Sequence, residues 1–118
     1  RVLLVEDDDE VGLLVQEMLA SLGYGVTRAR SGAAALDLLA QGLAIDVIVS
    51  DIMMPNDMSG VDMARAIRRT SDVPIILTSG YAEPFRDAAA ALGFIILDKP
   101  YRIEQLAEVL AQHRAAKA

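Results

Sequence analysis

Short apolar runs alternate with longer amphipathic stretches along the chain. Val2-Leu3-Leu4-Val5 is the kind of continuous apolar run that makes a strand buried on both faces. Asp46-Val47-Ile48-Val49-Ser50, Pro74-Ile75-Ile76-Leu77 and Phe94-Ile95-Ile96-Leu97 repeat it, and Tyr24 to Ala29 alternates weakly and predicts a fifth, short strand. Between these runs, Val11, Leu14, Val15, Met18, Leu19 and Leu22 follow the i, i+3, i+4, i+7 spacing of a helix, and Gly23 is placed to stop it. Ser31 caps a helix to about Gln41 with Gly42 beyond its end, and Ser59 caps one from Val61 to Arg69. Glu83-Pro84 opens a helix through about Leu92, since proline is tolerated in a first turn. Ile103, Leu106 and Leu110 stripe a last helix from Ile103 to about Arg114. Ile52 to Gly60 reads as irregular, with Pro55, Asn56 and Gly60 as turn signals.

Five strands alternating with five helices imply right-handed crossovers and a parallel sheet covered on both faces. The most economical fold is α/β, a flavodoxin-like doubly wound five-stranded parallel sheet of order 2-1-3-4-5 with five helices. A length of 118 residues suits one domain, 1–118, and 53% hydrophobic content is ample for its core. There is no internal repeat or low-complexity tract, and only the alanine-rich tail after His113 looks frayed. The chain begins at Arg1, at the door of the first strand, with neither an initiator Met nor a signal-peptide pattern, and reads as a piece of a longer protein.

A net charge of −6 disfavours direct binding to nucleic acid or to an anionic membrane, both of which need a basic surface. No stretch free of charged residues exceeds ten, far short of the roughly 20 apolar residues of a membrane span. With no cysteine, disulfide and thiolate-metal chemistry are excluded, which fits a reducing cytoplasm.

Candidate chemistry gathers where strands end. In open parallel sheets ligands bind beyond the carboxyl ends of the strands. There the chain places Glu6-Asp7-Asp8-Asp9, Asp51, Thr78-Ser79-Gly80 and Asp98-Lys99-Pro100, so Glu6, Asp7, Asp51, Thr78 and Lys99 converge on one edge. Two unit charges 4 Å apart repel by about 4 kcal/mol at an effective dielectric of 20, so gathered carboxylates need a cation. Oxygen-only ligands suit Mg²⁺, which takes one or two carboxylates, keeps waters and leaves a position for a phosphate oxygen. Asp7 and Asp51 fit as direct ligands, with Glu6 acting through water. A carboxylate beside Mg²⁺ can also attack a phosphoryl group, and Asp51 is the candidate nucleophile. The transition state spreads charge over three oxygens, for which Lys99, the Thr78 hydroxyl and backbone amides after Asp51 are donors.

Val2 to Asp7, Asp51 with Met54-Pro55, Thr78 and Lys99-Pro100, in that order, resemble the receiver domain of two-component response regulators from about Val2 to Gln112. The resemblance implies a phosphorylation-activated switch in a phosphorelay: a signalling module whose only catalysis is of its own phosphotransfer and dephosphorylation. Asp51 would accept phosphate from the phosphohistidine of a histidine kinase or histidine phosphotransfer domain. Glu6, Asp7, Asp51 and the Met53 backbone carbonyl would hold Mg²⁺. Lys99 would pair with the phosphoryl group, Thr78 would move to hydrogen-bond it, and the surface of the last helices and strand would shift. It further implies a cis Lys99-Pro100 bond. Met53 and Gly80, at the positions that tune hydrolysis, offer no acid or base, so a long-lived phosphoryl state is expected.

Three features depart from the common pattern. Ile96 stands where an inward-turning aromatic is usual, with Phe94, Tyr81 and Tyr101 nearby. The loop Met54-Pro55-Asn56-Asp57-Met58-Ser59-Gly60 is one residue longer, and Arg102 sits where the last helix wants a Ser or Asp cap. The longer loop, Thr78-Ser79-Gly80-Tyr81 and Lys99-Pro100-Tyr101 look like receivers at the C-terminal end of hybrid histidine kinases. The kinase, the effector domains and phosphorylation-dependent dimerisation stay open.

Simpler readings compete at several positions. Asp8 and Asp9 read as helix-start charges favoured by the N-terminal dipole, and His113 as a solvated cation late in a helix. Met53, Met54 and Met58 read as loop packing. A receiver-like module working by contact alone is the main alternative. A phosphohydrolase with an aspartyl nucleophile is a weaker one, because Met53 stands where such enzymes carry a second acid. Nucleotide binding is weaker still, since the first turn is acidic rather than glycine-rich.

Overall fold

Strands that are apolar on both faces must be covered on both faces, and the chain meets that demand with helices on either side of one sheet. The computed structural model describes residues 1–53, 58–80, 86–99 and 101–114. Its elements run β1 (Val2–Val5), α1 (Asp9–Ser21), β2 (Val26–Ala29), α2 (Gly32–Ala40), β3 (Val47–Asp51), α3 (Gly60–Arg68), β4 (Ile75–Ser79), α4 (Arg86–Ala91), β5 (Ile95–Asp98) and α5 (Ile103–Arg114). All strands pair in parallel in the order β2-β1-β3-β4-β5, the doubly wound topology that the alternation predicts. The switch point lies between β1 and β3, so the crevice opens above their carboxyl ends.

The two-residue period of a strand sorts the core into two layers. Leu3, Val5, Ile48, Ile75 and Leu77 pack on one face with Ala35 of α2, Met63, Ala64 and Ile67 of α3 and Ala89 of α4. Val2, Leu4, Val47, Val49, Ile76 and Leu97 pack on the other with Val15 and Leu19 of α1 and Leu106 and Leu110 of α5. Continuing the alternation past the strand ends carries Glu6, Asp51, Thr78 and Lys99 to the α1/α5 face. The layer that buries Val49 thus also aims the candidate site.

Local signals behave as their chemistry requires. Asp8 caps α1, its carboxylate accepting from the amides of Glu10 and Val11, and Asp9 and Glu10 fill the acidic first turn. Ser31 and Ser59 cap α2 and α3 through Ala34 and Asp62. Gly23, at φ 93°, takes the left-handed conformation that ends α1.

Three differences from the sequence reading have physical causes. The buried stripe of α1 is narrower than its periodicity suggests: Val15 and Leu19 are buried, whereas Val11 and Leu14 are exposed at the rim of a cleft. β4 runs on through Thr78 and Ser79, because pairing with β3 continues to Asp51↔Thr78 and with β5 to Ser79↔Asp98. At α5 the weak cap Arg102 is relieved by Gln105, whose side-chain oxygen accepts from the Arg102 amide at 2.8 Å. That is one arm of a capping box, readable from a Gln three residues on. Ile96 and Phe94 are partly buried against the α2–α3–α4 layer. The Met54–Asp57 part of the loop, Tyr81, the Glu83-Pro84 helix start and the Lys99-Pro100 bond lie outside the described residues, as does the side chain of His113.

The start of α3 touches the backbone of the site. The Gly60 amide donates to the Ile52 carbonyl at 2.7 Å, and a Cβ at Gly60 would lie 2.3 Å from the Asp51 carbonyl oxygen. Backbone cannot swing aside as a side chain can. Gly60→Ala is expected to destabilise the protein by roughly 1–3 kcal/mol, as overpacked sites do, read as a lower urea midpoint with unchanged m-value.

Candidate functional site

Each functional side chain is delivered by a strand end. Asp51, the last residue of β3, is largely buried, with 10% of its side chain exposed. Lys99, just beyond β5, is anchored by its own amide, which donates to the Ser79 carbonyl at 2.8 Å. From there its ammonium spans β4 and reaches Asp51 Oδ2 at 2.8 Å. The span crosses Thr78, whose short side chain fits between the two strands that flank it. Thr78 is buried, and its hydroxyl donates to the Ser50 carbonyl at 3.5 Å, at the long limit of a hydrogen bond.

The acidic turn after β1 supplies the other wall. Glu6 is buried at 6% exposure, and its carboxylate accepts from the Asp8 amide at 3.1 Å. Burial first, and then the charge of Asp51 and a hydrogen bond with Asp7, push the Glu6 carboxyl up from 4.5 to about 7. The Asp8 amide and Lys99 pull the other way and are outweighed. Asp7 is exposed. Tyr101, after β5, packs against the α1/α5 layer, and its phenol is pushed up to about 12 by burial, then by Glu6 and Asp51. It therefore stays protonated at neutral pH. With Glu6, Lys99, Val11, Leu14, Val15 and Met18 it lines a cleft of about 460 Å³.

Glu6, Asp51, Thr78 and Lys99 are thus brought together, and Asp7 joins them through Glu6. The Met53 amide donates to Asp51 Oδ1 at 3.4 Å, so a backbone donor after Asp51 faces its carboxylate as expected. Among the described residues no three His, Cys, Asp or Glu side chains form a ready-made metal cage. The donor set is nevertheless oxygen-only and anionic, and Mg²⁺ uses only one or two protein carboxylates. Burial and the neighbouring Asp51 charge both disfavour an ionised Glu6, and a bound cation would offset both, so the residues fit such an ion.

Two residues escaped the sequence reading. Gln105 had a readable signal, as noted above. Arg28 had none, because an arginine on an edge strand looks like any solvated charge. Its side chain is only 14% exposed and lies against the Glu6 carbonyl and Asp9.

No described helix is long and apolar enough to cross a membrane. Residues 2–111 match the family model of the response regulator receiver domain. The chain is 38% identical over 117 residues to the transcriptional regulatory protein YrkP of Bacillus subtilis, covering 97% of this chain and 49% of that protein. It is 40% identical over 115 residues to the sensor kinase CckA of Brucella abortus, covering 94% of this chain and 12% of the kinase. It therefore spans half or less of the length of these relatives. Among solved structures, a response regulator receiver protein from Sinorhizobium medicae superposes with TM-score 0.86 at 33% identity, over 99% of this chain and 95% of that one. The topology, the strand-end acids and these likenesses agree: the chain belongs to the response regulator receiver domain family of two-component systems.

Proposed function

We propose that the protein is a phosphoacceptor switch in which Asp51 takes a phosphoryl group from the phosphohistidine of a histidine kinase or histidine phosphotransfer domain. The observation that carries this reading is the buried Asp51 carboxylate at the mouth of the crevice, 2.8 Å from Lys99 and beside Glu6. An Asp51 oxygen attacks phosphorus as the P–N bond to the imidazole breaks, and the electron pair leaves with the ring nitrogen, which takes up a proton. Lys99 exchanges its bond to Asp51 for one to the phosphoryl group. The Met53 amide stabilises charge on its oxygens. Thr78, held now by one long hydrogen bond, turns to the phosphoryl group, and its movement biases the surface formed by α4, β5 and α5. Glu6, Asp7, Asp51 and the Met53 carbonyl would hold Mg²⁺. When bound, the ion supplies charge neutralisation at the transferring group.

The sensor-kinase and transcriptional-regulator relatives fit two contexts, a receiver within a hybrid kinase or one joined to an effector. Both act in the cytoplasm, and in both the output belongs to the rest of the protein. With Mg²⁺ and acetyl phosphate, intact mass is expected to rise by about 80 Da, one phosphoryl group. Asp51→Asn and Mg²⁺-free samples stay unchanged. No adduct on the wild type would leave a module acting by contact alone.

Met53 and Gly80 bring no acid or base to position a water, so the phosphoryl group is expected to persist for many minutes once the donor is removed. Decay within seconds, followed by intact mass, would contradict this.

Burying Glu6 beside Asp51 has a pH signature. The folded protein keeps the Glu6 proton up to about pH 7, whereas the unfolded chain releases it near 4.5. Between those values the unfolded state binds fewer protons, so this contribution to stability is lost as pH rises. In metal-free buffer Glu6→Gln is expected to gain on the wild type across that window, by on the order of 3 kcal/mol at neutral pH in urea titrations. Millimolar Mg²⁺ should shrink the difference.

A further inference from the structure

We infer that Arg28 is a positioning residue for the acidic pair, holding the Glu6–Asp7 peptide in the orientation that the cation site requires; the inference rests on the Mg²⁺ reading above. Arg28 stands on β2 and reaches over the end of β1. Its Nε and Nη2 donate to the Glu6 carbonyl at 3.2 and 2.8 Å, and its Nη1 pairs with Asp9 Oδ1 at 3.0 Å. The Glu6 amide meanwhile donates to the Ala29 carbonyl at 3.0 Å. The Glu6 carbonyl belongs to the planar bond that joins Glu6 to Asp7, so gripping that oxygen sets the plane from which both carboxylates hang.

The fork has been given room. Gly12 lies under the guanidinium, where a Cβ would come within 2.5 Å of Arg28 Cζ and Nε. A largely buried arginine, three of its donors used on one turn and a glycine cleared beneath it form one clamp. Lysine, a point charge, cannot reproduce that grip. Arg30 also meets Asp9 Oδ1, at 3.4 Å, but is solvent-exposed and leaves the Glu6 carbonyl alone.

Position and charge predict opposite outcomes, which makes the test sharp. If Arg28 mattered only as a positive charge near the site, Arg28→Met would tighten Mg²⁺ binding and Arg28→Lys would leave it unchanged. As a positioning residue, Arg28→Met should weaken Mg²⁺ by about tenfold, the lower range for partners that orient metal ligands, and Arg28→Lys by several-fold. Affinity is read by calorimetry on the whole chain, with circular dichroism to check the fold. Acetyl phosphate labelling of the variants should return to the wild-type rate at saturating Mg²⁺. Gly12→Ala favours the helix while displacing the guanidinium, so it should weaken Mg²⁺ without unfolding, whatever the Arg28 variants do. Wild-type affinity in Gly12→Ala and Arg28→Lys would overturn the inference alone. Absence of Mg²⁺ binding in the wild type would remove the underlying reading and this inference with it.

Discussion

A carboxylate as buried as that of Asp51 cannot stay ionised without a positive charge in reach, and the Lys99 ammonium supplies it. That pair constrains the architecture around it. The two residues come from strands separated by β4, so the strand between them must present a short side chain at that level, and Thr78 does. Lys99 must not drift, and the hydrogen bond its backbone N–H donates to the Ser79 carbonyl ties it to the strand it crosses. Asp51 must not retreat, and the close approach of Gly60 presses α3 against its backbone. Glu6, on the other flank, is a second buried acid beside that pair, its carboxyl pushed up by burial and by Asp51.

Much of this was legible because the period of a strand carries information in both directions. The same alternation that buries Val47 and Val49 places Asp51 on their face, and the runs ending in Glu6, Thr78 and Lys99 follow the same rule. Serines before α2 and α3 and glycine after α1 act through local backbone chemistry, which a sequence displays directly. The extent of β4 was not legible, because strand length depends on what the neighbouring strands offer as partners. Nor was the burial of α1, since Val11 and Leu14 repeat with a helical period yet stay exposed at the rim of the cleft beside Glu6 and Lys99. Arg28 was hidden for a related reason: its meaning arises only when β2 is laid beside β1.

The two layers divide labour. The α1/α5 layer carries the acids, the lysine and Tyr101, while the α2–α3–α4 layer contains Ile96 and Phe94. Asp51 meets the second layer directly at its backbone, where α3 begins at Gly60, while Thr78 on β4 bonds the Ser50 carbonyl beside it. Arg68 lies over the Phe94 ring at 5.7 Å and donates to the Val73 carbonyl, stitching the end of α3 to the approach to β4 on that far side.

The separation of those two hydrophobic layers by a single sheet also bears on how such a chain can change over time. Substitutions in opposite layers share few contacts, and effects at sites without shared partners add nearly independently. One layer can therefore drift in side-chain volume without forcing compensation in the other, provided the strand backbones keep their register. Epistasis should concentrate within a layer, and lineages that repack the helices around α4 can do so while the acids and the lysine stay where they are.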